Sequence, residues 1–294
     1  MEKLRLLQKI GEGGMSTVWK AWDKVNNRTV AVKVLKPDFA KRADEVRNFR
    51  TEERIMEEMK HPGIVQAYEF AKDHDEWYYV MEYVDGYSFG EFLRQKMHVR
   101  EVDCLLLCES VASALDYAWN EHGLVHCDLK PENLMINQEG VIKVMDLGIA
   151  HQFEFRADGE REVPEHVTGT PAYISPELVY GDLEPDCRSD IYSMGATLYH
   201  LATGRMLFNN MDPVETMRAH CDEHMQSPDP RNFRMELSEG FAQLLEAMLV
   251  KNREGRIQTW PDVIEMCRDV EAGIRFKPRN SPDASSNKLD FVES

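Results

Sequence analysis

A glycine-rich segment near the start of the chain limits the folds available, because it lies between two strand-forming patterns. Gly11, Gly13 and Gly14 nearly complete the GxGxxG phosphate-binding pattern, with Ser16 where the third glycine would stand. Residues 17–19, which are Thr-Val-Trp, favour a strand, whereas a Rossmann loop or a P-loop opens a helix. An ordinary turn explains the glycines when they are taken alone. The phosphate-binding alternative that fits the strand is a hairpin whose backbone N–H groups approach phosphates past residues without a Cβ.

The remaining patterns divide the chain into a strand-rich start and a longer helical part. Strand-forming runs cover 4–10, 16–22, 28–35 and 77–84, and a helical apolar periodicity covers 43–60. Later segments are mainly helical, and the end is rich in Pro, Ser and Asn with little periodicity. The fold class predicted is α+β, with a small antiparallel-sheet lobe that carries one main helix and a larger, mostly helical lobe. The predicted domains are an N-lobe over 1–84, a C-lobe over 85–276 and a flexible tail over 277–294.

Composition narrows the function classes. The 294 residues contain 35 Lys and Arg against 52 Asp and Glu, a formal net charge of −17, which disfavours nucleic acid and anionic lipid as partners. No apolar run approaches the ~18 residues that span a bilayer, and the amino terminus lacks a secretory pattern. Six cysteines without a CxxC pair are typical of reduced, buried thiols. These features predict a cytoplasmic protein, or the cytosolic domain of a longer one, with no membrane span in this chain.

A lysine in an apolar strand is the first candidate for chemistry. Lys33 ends the run Val-Ala-Val-Lys, where an edge lysine that extends its ammonium to water is the simpler interpretation. The functional interpretation is a cation directed at the phosphates of a nucleotide, which requires a carboxylate to hold it. Glu52 on the following helix is the candidate partner, although Glu53 is adjacent and the sequence does not separate the two. A solvated helix face explains any single glutamate in so acidic a segment.

The strongest signal is a polar run at 126–133, His-Cys-Asp-Leu-Lys-Pro-Glu-Asn, followed by Met-Asp-Leu-Gly at 145–148. Asn133 and Asp146 supply the oxygen ligands that suit Mg²⁺, which takes few protein groups besides phosphate oxygens and water. Asp128 is then left to accept a proton from a hydroxyl group.

These segments together resemble the protein kinases of the eukaryotic-like, Hanks-type superfamily. The resemblance covers roughly residues 4–272 and includes the segment GTPAYISPE at 169–177, Asp190 and Arg256. The segments GEGGMSTV, VMEYVDG and KVMDLGIA are especially similar to the corresponding sequences of bacterial kinases of the PASTA-receptor type. The segment DLKPEN is typical of serine/threonine kinases. The resemblance implies a two-lobe protein-kinase-like fold that transfers the γ-phosphoryl group of Mg·ATP to Ser or Thr hydroxyls of proteins. A pseudokinase or nucleotide-binding scaffold is the alternative, and a homodimer is left open.

The resemblance also implies a role for individual residues. Lys33 would hold the α and β phosphates and pair with Glu52, Asp128 would be the catalytic base, and Lys130 would lie near the transferred phosphoryl group. Asn133 and Asp146 would be the metal ligands. Thr170 would support the catalytic loop, and Glu177 would pair with Arg256. The implied ATP-binding residues are the glycine-loop residues Gly11, Gly13 and Gly14, the adenine contacts Ile10, Val18, Ala31 and Leu134, the gatekeeper Met81, and the hinge residues Glu82 and Val84.

Three positions depart from the family pattern. Ser16 keeps a small residue in the glycine loop, and Leu147 keeps an apolar residue where the family has Phe. Cys127 replaces the arginine that in the family commonly receives the phosphate of the activation segment, and a thiol cannot make that contact. Residues 147–167 contain no Ser, Thr or Tyr, and Thr168 is the first hydroxyl. We therefore predict activity without phosphorylation of this segment, which we expect to be mobile.

Two further spacings favour a structural explanation over a functional one. His220 and His224 are four residues apart, a spacing that zinc can use, but no second ligand pair is evident and exposed side chains at a helix end are expected. Cys104 and Cys108 are also four apart and lie on an apolar helix face, so we expect them in the core.

Overall fold

The structure, a computed structural model, describes residues 2–147, 151–152, 169–181, 184–208, 212–273, 275–276 and 291–292. Its strands are β1 Leu4–Glu12, β2 Ser16–Asp23, β3 Arg28–Leu35, β4 Ala67–Asp73, β5 Glu76–Glu82, β6 Gly86–Ser88, β7 Leu124–Val125, β8 Leu134–Asn137, β9 Ile142–Val144, β10 His151–Gln152, β11 Arg275–Phe276 and β12 Phe291–Val292. Its α-helices are α1 Pro37–Ala40, α2 Ala43–Glu58, α3 Phe89–Lys96, α4 Glu101–His122, α5 Pro176–Val179, α6 Cys187–Thr203, α7 Pro213–Cys221, α8 Glu239–Met248 and α9 Trp260–Glu271.

The described residues form two compact units. The first contains residues up to 88 together with the segment from 134 to 147, and the second contains 89–133 and the described residues beyond 150. Residues 148–150 and 153–168, which include most of the predicted mobile segment, lie outside the described residues, as does nearly all of the predicted tail. The strand pair β11–β12 is antiparallel.

The first unit is built on a five-stranded antiparallel sheet in the order β1-β2-β3-β5-β4. Alternation along β3 directs Val30, Val32 and Val34 into a buried cluster with Tyr78 and Val80 of β5. The intervening residues of β3 face the other side of the sheet, and they include Lys33. A separate three-stranded sheet, β6-β8-β9, belongs to the same unit.

One main helix, α2, accompanies this sheet. Its buried residues recur at helical spacing and include Phe49, Glu52, Glu53, Ile55 and Met56. Two glutamates on the buried face of an otherwise apolar pattern are unusual, because a buried carboxylate requires a partner to offset its desolvation. The helix therefore presents an acidic group toward the interior of the unit.

The second unit is mostly helical. The helix α6 is buried along nearly its whole length, from Cys187 to Thr203. The helices α4 and α9 pack against each other, and the side chains of Cys104, Cys108 and Cys267 are fully buried there, which agrees with the expectation that the first two are core residues. All six cysteines are free thiols.

Glycine ends two of these helices. Gly123 follows α4 with a φ of 59° and its N–H bonded to the Trp119 carbonyl, a left-handed helix end that favours glycine. Gly204 follows α6 with a φ of 71°, and a Cβ there would lie 2.3 Å from the carbonyl oxygen of Met97. Only glycine fits this second position without a backbone shift.

The observed architecture confirms the predicted α+β class, with an antiparallel sheet in one unit and a helical second unit. No helix in the described part of the chain is long and apolar enough to cross a bilayer.

Candidate active site

The predicted site residues fall into two groups, one in each unit. The first, which we call the lysine group, consists of the predicted residues Lys33, Glu52 and Asp146 together with Tyr79, which the sequence did not predict. The second, the catalytic-loop group, consists of Asp128, Lys130, Asn133 and Thr170. Each group is described by itself.

Lys33 joins the members of the lysine group. Its Nζ lies 2.6 Å from Glu52 Oε1 and 2.6 Å from Asp146 Oδ1. The structure therefore places Glu52, rather than the adjacent Glu53, beside the lysine. The Lys33 side chain is 12% exposed and that of Glu52 7%, whereas that of Asp146 is 49% exposed. One carboxylate partner is thus buried and the other remains open to solvent.

The electrostatics of this group favour a charged lysine. Burial alone would lower the pKa of the Lys33 ammonium, but Tyr79, Glu52 and Asp146 outweigh it and raise that pKa well above its ordinary value. Burial raises the pKa of Glu52, and Lys33 acts against that rise. The group therefore keeps a permanent cation next to the exposed carboxylate of Asp146.

Asp128 is the centre of the catalytic-loop group. It is 7% exposed. Its Oδ2 lies 2.5 Å from Lys130 Nζ, and its Oδ1 accepts a hydrogen bond of 2.6 Å from Thr170 Oγ1. Asn133 Nδ2 donates to the Asp128 carbonyl at 2.9 Å, so the amide nitrogen is directed inward. The carboxylate is held on both oxygens.

Asp190 fixes the backbone that carries this loop. Its carboxylate accepts hydrogen bonds from the N–H groups of His126 at 2.7 Å and Cys127 at 2.9 Å. Burial raises the pKa of Asp190 to about 6, against the stabilising effect of His126 and of these two bonds. Cys127 adopts a φ of 65°, in the left-handed region. The resemblance in the sequence includes Asp190, but it implies no role for this residue.

The Cys127 side chain is buried in an apolar cluster. It is 1% exposed and packs with Val125, Ile174 and Leu178. The thiol donates to the carbonyl of Val125 at 3.6 Å. This position therefore contributes apolar packing and no cation.

The glycine-rich segment is a hairpin between β1 and β2, as the strand pattern predicts. The Gly13 N–H donates to the Ser16 carbonyl at 2.9 Å, and its own carbonyl accepts from Lys36 Nζ at 2.7 Å. The space beside Gly14 is open to a ligand, because a Cβ added to this residue would meet no atom within 4 Å. The backbone of the tip is therefore open to close approach.

The implied adenine contacts all lie in the first unit. Ala31 pairs with Met81 across β3 and β5, and Leu134 pairs with Val144. Ala31, Val84 and Leu134 are buried, whereas Ile10 is 42% exposed and Val18 half-buried. The Glu82 N–H is already bonded to the Gln66 carbonyl at 2.9 Å. The Glu82 carboxylate lies 2.7 Å from Lys143 Nζ.

The histidine expectation is wrong for His220. His224 is exposed, but His220 is fully buried, because its ring packs on Phe208 and its Nδ1 lies 2.9 Å from the hydroxyl of Tyr192. Burial lowers the pKa of His220 to about 4. Within the described residues no cluster of three or more His, Cys, Asp or Glu side chains could hold a metal.

Arg256 and Glu177 form the ion pair that the resemblance implies. Their Nη1 and Oε1 atoms lie 2.7 Å apart, and Arg256 is fully buried. This pair anchors the end of the segment that contains Thr170.

Comparison with known proteins decides the family. A model of the protein kinase domain matches residues 4–267. The chain belongs to this family. The predicted resemblance to Hanks-type kinases is confirmed, and membership in the protein kinase domain family implies the use of ATP and a divalent metal.

Several bacterial relatives are similar to this kinase domain. A probable serine/threonine-protein kinase of Clostridium perfringens is 33% identical over 294 residues, which cover 99% of this chain and 42% of the relative. Serine/threonine-protein kinase PrkC of Bacillus subtilis is 31% identical over 273 residues, covering 93% and 40%. Serine/threonine-protein kinase PknB of Mycobacterium tuberculosis is 34% identical over 291 residues, covering 96% and 44%. The chain spans about two fifths of the length of these relatives.

Sequence reasoning missed Tyr79, whose hydroxyl donates to Glu52 at 2.8 Å. The signal was present in the strand alternation of β5, since Tyr79 shares a face with Met81 and pairs with Lys33.

Proposed function

We propose that this kinase domain transfers the γ-phosphoryl group of Mg·ATP to Ser or Thr hydroxyls of protein substrates. The observation that carries the proposal is the Asp128 carboxylate, held by Lys130 and Thr170 within the loop motif of serine/threonine kinases. The names of the relatives support this substrate class.

In this proposal Asp128 acts on the acceptor. Its carboxylate orients the substrate hydroxyl and takes the hydroxyl proton as the oxygen forms its bond to the γ-phosphorus, while the bond from that phosphorus to the ADP oxygen breaks. Lys130 lies 2.5 Å from the same carboxylate and stabilises negative charge on the transferred phosphoryl group. Thr170 keeps the carboxylate oriented, so that positioning is the main contribution of this loop.

The nucleotide would be held by the first unit. Ile10, Val18, Ala31 and Leu134 would enclose the adenine next to the gatekeeper Met81, and the backbone of Gly11, Gly13 and Gly14 would cover the phosphates. Because the Glu82 N–H is taken by Gln66, we assign adenine recognition at Glu82 to its carbonyl and at Val84 to its backbone. Lys33 would bind the α and β phosphates.

The residues predicted to bind Mg²⁺ fit a hard cation. Asp146 offers a half-exposed carboxylate, and Asn133 turns its amide nitrogen toward Asp128, which leaves its amide oxygen for a cation. A bound Mg²⁺ neutralises charge on the phosphate oxygens of ATP. Asn133 and Asp146 would hold it.

We further propose that activity does not require phosphorylation of the activation segment. Cys127 lies in an apolar cluster and supplies no cation for a phosphate, and the sequence offers no hydroxyl between Leu147 and Val167. Asp190 holds the Cys127 backbone directly, so the loop geometry has a support that does not depend on a phosphate.

The cytoplasmic location belongs to the same proposal. It is supported by the need for ATP and by the free state of all six cysteines, which is typical of a reducing compartment. The homodimer left open by the sequence has no support among the described residues, and the proposal does not include it.

Phosphoryl transfer is tested with γ-labelled ATP and a generic basic protein as acceptor. We expect label on Ser or Thr of the acceptor with the wild-type chain and at least ~10²-fold less with Asp128→Asn. Nucleotide binding without transfer would identify the chain as a pseudokinase or scaffold instead.

The phosphorylation claim is tested by comparing phosphatase-treated wild type and Thr168→Ala with untreated wild type on an exogenous substrate. We expect rates within threefold of each other. A loss of more than about tenfold, equivalent to ~1.4 kcal/mol in the barrier, would contradict the claim.

A further inference from the structure

Tyr79 is the member of the lysine group that lies on β5, and its side chain is buried. Its hydroxyl donates a hydrogen bond of 2.8 Å to Glu52 Oε1. The same oxygen accepts the 2.6 Å bond from Lys33 Nζ. One oxygen of Glu52 therefore serves two donors, which come from paired positions of the neighbouring strands β5 and β3.

The ring of Tyr79 also contacts α2. It lies against the ring of Phe49 with centroids 4.9 Å apart. Phe49 and Glu52 are three residues apart and so share one face of the helix. Tyr79 thus holds α2 at two points in one turn, by ring packing at Phe49 and by a hydrogen bond at Glu52.

The burial of these groups makes the hydroxyl bond strong. Tyr79 is 1% exposed and Glu52 7%. Burial raises the pKa of Glu52, while the hydrogen bonds from Lys33 and Tyr79 act against that rise by stabilising the charged carboxylate. A hydrogen bond to a charged acceptor in a buried setting is among the stronger kinds.

We propose that Tyr79 is a positioning residue, which holds α2 where Glu52 pairs with Lys33. The contact uses only β5 and α2, so the pair can form without a phosphorylated segment or a partner protein. This inference rests on the proposed kinase function, because the Lys33–Glu52 pair matters through its role in binding phosphates. The competing explanation is that Tyr79 only fills space.

The strand offers a matched control for the test. Tyr78 is the adjacent residue, is also buried, and packs on the opposite face of the sheet with Val30 and Val32. Tyr79→Phe removes one hydroxyl from the lysine group, and Tyr78→Phe removes one hydroxyl away from it. Both variants keep the aromatic ring and hence the packing of the strand.

Two measurements decide between the explanations. In steady-state kinetics with a peptide substrate, we expect Tyr79→Phe to lower kcat/KM for ATP about tenfold, which corresponds to the loss of one hydrogen bond to a charged group. In a Glu52→Ala background the same substitution should change kcat/KM less than about twofold, since its target is gone. Tyr78→Phe should change kcat/KM less than about twofold in either background.

Hydrogen exchange gives the second measurement and needs no phosphoryl transfer. The amides of α2, Ala43–Glu58, should exchange several-fold faster in Tyr79→Phe and at the wild-type rate in Tyr78→Phe. Unchanged α2 exchange in Tyr79→Phe, or an equal loss of kcat/KM with and without Glu52, would overturn the inference. If the wild-type chain transfers no phosphoryl group, the proposed function fails while the exchange result still decides the role of Tyr79.

Discussion

The lysine group and the catalytic-loop group use similar chemistry but are assembled differently. Each pairs a buried carboxylate with a lysine, at 2.6 Å for Glu52 with Lys33 and 2.5 Å for Asp128 with Lys130. The first pair joins a strand to a helix 19 residues later, and Lys33 reaches Asp146 113 residues further along the chain. The second pair joins residues two apart in one loop.

This difference indicates which of the two groups can be adjusted by a regulator. The catalytic-loop group depends on local backbone geometry. The carboxylate of Asp190 fixes this geometry by accepting hydrogen bonds from the N–H groups of His126 and Cys127. The lysine group depends on the placement of α2 against the sheet, so that any displacement of the helix separates Glu52 from Lys33. We therefore expect the catalytic loop to be rigid and the lysine group to be the adjustable part.

The largest expected effect on activity comes from a change in the catalytic-loop group alone. Asp128→Asn keeps the size of the side chain and removes the proton acceptor, so kcat should fall at least ~10²-fold. The thermal midpoint should fall only slightly, because Asn still accepts the Thr170 hydroxyl and the Lys130 side chain, which is 22% exposed, keeps access to water when it loses its pair. The measurements are steady-state kinetics and a thermal melt, with Asp75→Asn, a change at an exposed turn residue, as the control. Wild-type turnover in Asp128→Asn would remove Asp128 from the mechanism.

The lysine group should respond in both activity and stability. Lys33→Met leaves Glu52 buried without its cation, which costs ~3 kcal/mol of unfolding free energy when one partner of a buried pair is removed. Transfer should be lost as well.

The double variant Lys33→Met/Glu52→Leu sharpens this contrast. It removes both charges but leaves the buried Tyr79 hydroxyl without its acceptor, so denaturant unfolding should show only part of the lost stability restored while transfer stays absent. A double variant less stable than Lys33→Met would show that the Glu52 carboxylate stabilises the unit without the lysine.

Acid should lower the stability of the second unit through protonation of His220. Burial lowers its pKa from 6.5 to about 4, so the folded state binds fewer protons than the unfolded state between these values. Stability is therefore full above pH 6.5 and is lost as the pH falls toward 4, by about 2–3 kcal/mol. Unfolding by urea at pH 7 and pH 4.5 should show this loss in the wild type and a smaller one in His220→Gln. Equal losses in both proteins would mean that other groups carry the acid sensitivity.

The smallest expected effect concerns the ion pair between Glu82 and Lys143 in the first unit. Their carboxylate and ammonium are 2.7 Å apart and mostly buried, and they connect β5 to β9, the strand that precedes Asp146. A double-mutant cycle of Glu82→Gln and Lys143→Met should give a coupling of about 1 kcal/mol in the KM for ATP. Additive effects would show that the pair does not influence the nucleotide site.

The same contrast explains what could be predicted from sequence. The loop motif at 126–133 was readable because its members are consecutive, and β3 was predicted at its observed bounds because its apolar run ends in clear turn residues. The choice between Glu52 and Glu53 was not readable, since both are buried on α2 and only the packing of the helix separates them.

Two other features depended on distant residues. The hydroxyl of Tyr79 meets Glu52 across 27 positions. The alternation of β5 places Tyr79 on the same face of the sheet as Lys33, but it does not show that the hydroxyl reaches Glu52 on α2. His220 was expected at an exposed helix end, but Tyr192 and Phe208 bury it. The position of a residue in its own helix did not show what the neighbouring helix covers.

The buried thiols between α4 and α9 give the second unit a reporter of its own. A thiol reagent reacts with the deprotonated sulfur and needs access to it, so Cys104, Cys108 and Cys267 are protected while the two helices remain packed. The labelling rate of these side chains therefore measures how often the helical unit opens, in the unmodified protein and without an added dye. Comparing that rate with the exchange of α2 would time the opening of the two units separately.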